Sequence, residues 1–440
     1  MTAPAQTGPL HGRLYAWYGD DFTGSTDVLE ALALYGVKAV LFTRTPDRRA
    51  LAAFSDCPAI GIAGESRSRN PQWMDRNLPA VFAAMRALGA RVNHYKVCST
   101  FDSSPGVGSI GRAMELGRAA FGAEFVPVVV GAPHLGRAVV FGNLFAAADG
   151  AVYRIDRHPA MRRHPVTPMT EADLRLHLAR QTTLRMGLVD WTAFQADAAG
   201  SRLQTELEAG AEAVVFDGFD DATLDETARL ICERAIARPV FAVGSSGLTH
   251  GLLRHWRKSA RIGAEPTLER PAALARPSAV DRLLVLSGSC SPATAAQIGR
   301  AQQLGFAALH LEGGGPWREQ AANARAALRS GVSVVLYTAL GPQAMDQEHG
   351  EAFGAALGRL LRELALETSV RRVLIAGGDT ATHAVKQLGL DALTFAAPLV
   401  PGVPLCRAHA AGSALDGLEL ALKGGQIGPE DFFAQVRDGG

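Results

Sequence analysis

The stretch LYAWYGDDFTGSTDVLEALALYGVKAVLFT, residues 14–43, decides how the chain is read. An apolar run (LYAWYG) breaks at DDFTG, turns helix-periodic through STDVLEALALYG, and resumes as a second apolar run (KAVLFT). That order is β-α-β: Val28, Leu29, Leu32 and Leu34 supply one buried helical face, and Gly36 stands where a left-handed helix end is expected. Strand-like runs ending in small or polar residues recur at PAIGIAG (58–64), VNHYKVCST (92–100), FVPVVVGAP (125–133), AEAVVFDGF (211–219) and RPVFAVGSSG (238–247). Strands alternating with helical stretches argue for parallel sheets covered by helices. The pattern breaks in the Pro-, Ala- and charge-rich KSARIGAEPTLERPAALARPS (258–278) and restarts at DRLLVLSGSCS (281–291). The expectation is an α/β protein of two domains, each a mostly parallel sheet flanked by helices, with the active site in the cleft between them. Boundaries are set at 1–260, a linker at 261–279, and 280–440.

Bulk properties narrow the function classes. Lys+Arg total 44 against Asp+Glu 43 in 440 residues, so no global basic field draws nucleic acid or anionic membrane to the chain. No uninterrupted apolar run reaches about 18 residues, and the N-terminal stretch lacks the layout of a secretion signal. A cytoplasmic location is expected, with oligomeric state left open. The five cysteines (Cys57, Cys98, Cys232, Cys290, Cys406) are scattered, without the spacing of a zinc site.

In open parallel sheets ligands bind beyond the carboxyl ends of strands, and the polar clusters fall there. DDFTGSTD puts Asp20 and Asp21 at a strand end and Asp27 about one helical turn on. Adjacent carboxylates repel, so both stay ionised only beside donors or a cation; equally, one caps the helix while the other meets water. ESRSRNP (65–71) brings Arg67 and Arg69. HYKVCSTFDSSPG (94–106) brings Lys96, Ser99, Thr100, Asp102, Ser103 and Ser104, a set suited to a hydroxylated acid. His134, Arg137, Asn143 and His164 are weaker candidates of the same sort. Downstream, RRVLIAGGDTATHAVKQLG (371–389) delivers Gly377 and Gly378 from a buried strand, and Asp379, Thr380 and Thr382 open a helix. Glycines let phosphate reach backbone N–H groups, and the helix dipole favours it; an ordinary helix cap is the bland alternative. LLVLSGSCSPATAAQIG (283–299) offers Ser287, Gly288, Ser289 and Ser291. ALKGGQIGPEDFF (421–433), with Lys423, Gly424, Gly425 and Gly428, reads as a helix and its stop. Neither a P-loop nor a dinucleotide fingerprint occurs, and GSSG at 244–247 is not a nucleophile elbow. These absences disfavour a nicotinamide oxidoreductase and a serine hydrolase.

Ten blocks in order carry a resemblance: YGDDFTGSTD, ESRSRNP, YKVCSTFDSSPG, GAPHLGRAVVFGN, HPVTPMTEADL, VGSSGL, LSGSCS, AGGDTATHAV, PGVPL and LKGGQIGPEDFF. Over essentially its whole length the chain resembles the four-carbon acid sugar kinases, a family once defined only as a domain of unknown function. The resemblance implies an N-terminal domain for a C4 sugar acid, a C-terminal domain for ATP, and phosphoryl transfer to the acid's terminal hydroxyl. It places ATP on Ser287, Ser289, Ser291, Gly377, Gly378, Asp379, Thr380 and Gly425. It places the sugar acid on Asp20, Asp21, Arg67, Lys96, Asp102 and Ser103.

CSTFDS looks most like the branch acting on 3-oxo-tetronates, where it replaces the K-x-D-S-T-L-R-G version of threonate and erythronate kinases. The arginine of that version is absent, which leaves the acid's carboxylate to Lys96 or another cation. D-threonate, D-erythronate and branched apionate-type acids are the alternative substrates, and a non-catalytic sugar-acid sensor the alternative of another class. Asp21 and Asp20 are the first candidates for the base, with Asp379 the rival. Mg²⁺ is expected to arrive with ATP, with no metal site from the protein alone.

Overall fold

The computed structural model describes residues 13–148, 150–164, 166–263, 276–313, 315–341 and 347–440; most of the expected linker, 264–275, lies outside the described residues. Strands β1 (Tyr15–Gly19), β2 (Ala39–Phe42), β3 (Ala59–Ala63), β4 (Val92–Lys96), β5 (Val126–Val129), β6 (Arg137–Val140), β7 (Asn143–Ala148), β8 (Ala151–Arg154), β9 (Met186–Val189), β10 (Ala213–Phe216) and β11 (Val240–Gly244) form the first half. The second half contains β12 (Leu284–Ser287), β13 (Ala307–His310), β14 (Val334–Tyr337), β15 (Arg372–Ala376), β16 (Ala392–Val400), β17 (Val403–His409) and β18 (Glu419–Lys423). The quoted β-α-β is present as read. Asp21 caps the helix Phe22–Leu34, whose Val28, Leu29 and Leu32 are buried, and Gly36 takes the left-handed conformation just beyond it.

The two halves do not carry separate sheets. One fifteen-stranded sheet runs β13-β14-β12-β15-β18-β17-β16-β2-β3-β1-β4-β11-β5-β10-β9. Every pairing in it is parallel except β18–β17, β17–β16 and the seam β16–β2, where Ala392 faces Phe42 and Leu393 faces Leu41. The seam removes what would otherwise be two exposed edges, each an invitation to pair with another chain. A separate antiparallel sheet, β6-β7-β8, stands outside it. One expectation is corrected. The segment ending at Lys423 is the strand β18 rather than a helix, because ELALK is buried between β15 and β17, and an apolar run that short carries no decisive period.

Two rows of strand ends lie level across this sheet. Ala63, Gly19, Lys96 and Gly244 are in register across β3-β1-β4-β11, and His310, Tyr337, Ser287, Ala376 and Lys423 across β13-β14-β12-β15-β18. Within each row there is a point where neighbouring strands send their helices to opposite faces. After β1 the helix Phe22–Leu34 joins one core cluster, whereas after β3 the helix Pro71–Ala87 joins another. Likewise β12 leads to helix Pro292–Gln303 on one face, and β15 to helix Gly378–Leu388 on the other. Such switch points open crevices beyond the carboxyl edge of a sheet. Helices Phe22–Leu34 and Gly378–Leu388 share a core cluster, so the two crevices are drawn together.

Candidate functional site

At the first crevice the loops after β1, β3 and β4 converge on one guanidinium. Arg67 donates to Asp21 Oδ2 at 3.0 Å and to Asp102 Oδ2 at 2.8 Å. The other oxygen of Asp21 accepts from the Gly24 N–H at 2.5 Å and from the Thr23 hydroxyl at 3.1 Å. Asp102 accepts further bonds from Thr100 at 2.5 Å and Thr167 at 3.2 Å. Although burial opposes ionisation of Asp102, Arg67, His164 and the Thr100 hydroxyl together hold its carboxyl below the usual range.

Asp20 has a different environment. It is 5% exposed, its Oδ1 has no hydrogen-bond partner, and its neighbours include the carboxylates of Asp21 and Asp102. Burial first, then Asp21, push its carboxyl up to about 8, against the lowering pull of Arg67 and Lys96. Asp20 is therefore a buried acid whose Oδ1 has no hydrogen-bond partner, whereas both oxygens of Asp21 are engaged.

Lys96 and Ser103 sit farther back. Lys96 is 3% exposed; its amine lies 3.5 Å from Asp27 and against Gly24, underneath the Asp21 turn. The Ser103 hydroxyl is taken up by Phe101 O, His177 and Gln181. The cation facing Asp21 and Asp102 is thus Arg67.

The second crevice is built from three nested turns. Gly377 caps the helix Gly378–Leu388 with no side-chain cap bond, its φ of 113° being open only to glycine, so the first N–H groups of this helix have no side-chain partner. Asp379 is exposed within that first turn and supplies no cap. The bland cap reading is thereby set aside. Gly288 passes so close to Thr380 that a Cβ there would lie 2.0 Å from its hydroxyl; at Gly425 a Cβ would lie 2.6 Å from Ser289 Oγ and 3.0 Å from Ser291. Ser291 caps the helix Pro292–Gln303, while Ser287 Oγ is buried without a partner. The turns carrying Ser287–Ser291, Gly377–Thr380 and Gly425 therefore form one cradle of amides and hydroxyls, an arrangement suited to polyphosphate.

The two crevices face each other. A Cβ at Gly378 would sit 3.7 Å from Asp21 Oδ2 and 3.8 Å from Thr23 Oγ1, and the Phe22 N–H donates to Thr382 at 3.5 Å. His164, grouped at first with the weaker candidates, lies in the field of Asp102, Arg67 and Asp379 alike, and Thr167 bonds both it and Asp102. Its signal in the sequence is the HPVTP block. A clasp closes one side: Arg69 pairs with Glu65 at 2.6 Å and with Glu351 of the second half at 2.5 Å, and Lys386 of the second half reaches Glu65 at 2.5 Å. Glu65, Glu351 and His383 lie close enough to ligate a cation. The two carboxylates are already neutralised by Arg69 and Lys386, so the group does not fit a resident metal.

A sugar-binding N-terminal domain model matches residues 15–252 and a nucleotide-binding C-terminal domain model residues 284–433. Fold and site together define a phosphotransferase that takes a sugar acid in one half and a nucleotide in the other. The chain is 44% identical, over 97% of its length and 95% of the relative's, to a 3-oxo-isoapionate kinase of Paraburkholderia graminis. It is 32% identical, over 95% of its length and 97% of the relative's, to a 3-oxo-tetronate kinase of Methylobacterium radiotolerans. The chain belongs to the four-carbon acid sugar kinase family. The fold is shared with a Haemophilus influenzae protein of the DUF1537 family, at 22% identity and a TM-score of 0.69, covering 96% of this chain and 98% of that one. Among the described residues, no helix is long and apolar enough to cross a membrane.

Proposed function

We propose that the chain transfers the terminal phosphoryl group of ATP to a terminal hydroxyl of a branched 3-oxo sugar acid of the isoapionate type. The observation that carries the reading is the approach of the Asp20–Asp21 turn to the uncapped helix start at Gly378, which leaves only a side chain's breadth between an acid pair and a phosphate cradle. The CSTFDS block had favoured a straight-chain 3-oxo-tetronate. The identities of 44% and 32% favour the branched acid over it, and the 3-oxo-tetronate is retained as the second reading.

In this reading the amides of Gly378–Thr380 and the hydroxyls of Ser289 and Ser291 hold the polyphosphate, with Gly425 letting the third turn close over it. Arg67 faces the acid's carboxylate, and Asp21 and Asp102 fix its fork. Phosphoryl transfer has a loose transition state, so positioning and charge neutralisation supply most of the catalysis. Asp20 orients the attacking hydroxyl and takes its proton late, since its Oδ1 is the free acceptor of the acid cluster. Asp379, exposed at the helix start, is the alternative base. Mg²⁺ enters as part of the MgATP substrate and neutralises phosphate charge. The two-domain division at 1–260 and 280–440 is proposed on the same basis.

The test is coupled ADP release across 3-oxo-isoapionate, the 3-oxo-tetronates, and D- and L-threonate and erythronate. A kcat/KM at least about tenfold higher for the branched acid is expected, the worth of one well-placed group in a pocket. Preference for a straight-chain acid would return the assignment to the tetronates, and no ADP release with any of them would overturn it.

A further inference from the structure

Lys423 ends β18, is fully buried, and has no carboxylate within ion-pairing distance among the described residues. Its amine donates to Thr294 Oγ1 at 2.9 Å and lies 3.4 Å from Gly425 O, while the Thr294 hydroxyl itself donates to Gly425 O at 2.7 Å. The main-chain carbonyl of Lys423 accepts the Gly377 N–H at 2.9 Å. One residue thus ties together two of the three turns of the cradle and the helix that begins in the third.

The electrostatics are unusual for a structural lysine. Thr294 lies in the first turn of helix Pro292–Gln303, the positive end of its dipole, so a buried ammonium has been set beside a second positive charge. None of the three neighbouring elements offsets it: β15 presents Ala376, β17 contributes Leu405 and Cys406, and helix Pro292–Gln303 turns Thr294 and Gln297 inward. The ion pair Arg372–Glu419 occupies the opposite ends of β15 and β18. Beside this stands Ser287 Oγ, buried and unpartnered in the same strand-end row. Both groups are donors suited to a negatively charged acceptor.

We propose that Lys423 is a positioning residue of the nucleotide site, which holds the Gly424–Gly425 turn through Thr294 and draws its missing counter-charge from the polyphosphate of the bound nucleotide. The proposal rests on the nucleotide reading of this half. Burial alone lowers the amine to about 8, so an anion arriving in the cradle restores the ammonium and binding takes up a proton. The phosphates of ADP are already ionised at that pH and do not contribute. Asp20 and Glu30, each also near 8, are the other groups titrating there, and Lys423 is distinguished from them by substitution.

The experiment is calorimetric titration of the full chain with MgADP at pH 8.0 in two buffers of different ionisation enthalpy, for wild type, K423R and K423M, with melting temperatures to show that each variant is folded. Wild type is expected to take up about half a proton per ADP, as a group does at its own pKa when binding raises it. K423R, which stays charged, is expected to bind within about threefold with almost no proton uptake. K423M is expected to bind roughly 10- to 100-fold more weakly, also without uptake. Wild type binding without proton uptake, or K423R showing the same uptake as wild type, overturns the proposal and leaves Lys423 a structural clamp. No ADP binding by folded wild type would instead overturn the nucleotide reading beneath it.

Discussion

Replacing Asp20 by Asn removes a charge the fold disfavours and, with it, the proposed proton acceptor, so stability and turnover should move in opposite directions. The carboxyl rises from 3.8 to about 8, chiefly by burial and secondarily through Asp21. An acid raised in this way contributes stability that is fully present below its unfolded value near 4 and is lost as pH climbs through about 8. At about 1.4 kcal/mol per unit, the ionised wild-type side chain costs at most roughly 6 kcal/mol at pH 9, and about half of that once local relaxation is allowed. Asn, nearly isosteric and never ionised, escapes the cost. Glu30, buried against the Gly402 N–H and also raised to about 8, is unchanged in both proteins and cancels in the difference.

The variant should therefore melt close to wild type at pH 5 and about 3–6 °C above it at pH 9, a range set by the chain's size. Its turnover should fall about 10²- to 10⁴-fold, the usual worth of a positioned base. Wild-type kcat/KM for the sugar acid should rise about tenfold per pH unit up to about 8 and then level off. Differential scanning fluorimetry across pH and the coupled ADP assay read the two effects. Equal melting temperatures at pH 9 would refute the buried protonated acid. Turnover within about threefold of wild type, together with a dead Asp379→Asn enzyme, would transfer the role of base to Asp379.

Arg67→Lys keeps the charge but loses the fork between Asp21 and Asp102; KM for the sugar acid should rise about 10- to 100-fold with KM for ATP nearly constant in steady-state kinetics. At Gly378, a Cβ still clears Asp21 and Thr23 by more than 3.5 Å. Gly378→Ala should accordingly weaken ADP binding only slightly and Gly378→Phe severely, while sugar-acid binding measured calorimetrically without nucleotide is retained. Arg69→Ala breaks the bridge between Glu65 and Glu351; partly exposed pairs of this kind are worth about 1 kcal/mol or less, so both KM values should rise a few-fold and the rise should shrink at high salt.

Legibility of the sequence followed the periods available to it. The runs at 58–64, 92–100, 125–133, 211–219 and 238–247 are strands because each is a buried apolar run ending in small residues, and β1, helix Phe22–Leu34 and β2 could be read to within a few residues from 14–43. The hairpin β16–β17 was not legible: TFAAPLV is interrupted by Pro398 and meets β17 with register shifts at Phe395–Ala397 and Pro398–Val400, so no two-residue period survives. With it went the seam to β2 and the single sheet. The site divides the same way. Residue types and strand ends marked Asp20, Asp21, Arg67, Asp102 and the glycine turns, but which cation faces the acids depends on depth. Lys96 and Arg67 are equally charged in the sequence, and only packing puts one beneath Gly24 and the other between two carboxylates.

The seam also bears on how the two halves can work. A hinged kinase closes by swinging rigid bodies, and hinge segments lie where few contacts cross. Here β2 and β16 are hydrogen-bonded partners, Thr43 donates to Leu390 O at 2.5 Å, and Glu30, toward the far end of helix Phe22–Leu34 from Asp21, accepts the Gly402 N–H at 2.7 Å. Those contacts fix one flank of the crevice pair; nearer Asp21 the halves meet where the Phe22 N–H reaches Thr382, and the outer flank carries the charged clasp of Arg69, Glu65, Glu351 and Lys386. Opening for substrate is then expected as a splay about the β2–β16 seam, with the clasp parting. Glu65→Cys and Lys386→Cys, joined by a short bis-thiosulfonate linker that spans the length of the lost ion pair, should block turnover and restore it when the linker is reduced. A linked enzyme with unchanged turnover would show that substrate enters without the halves parting.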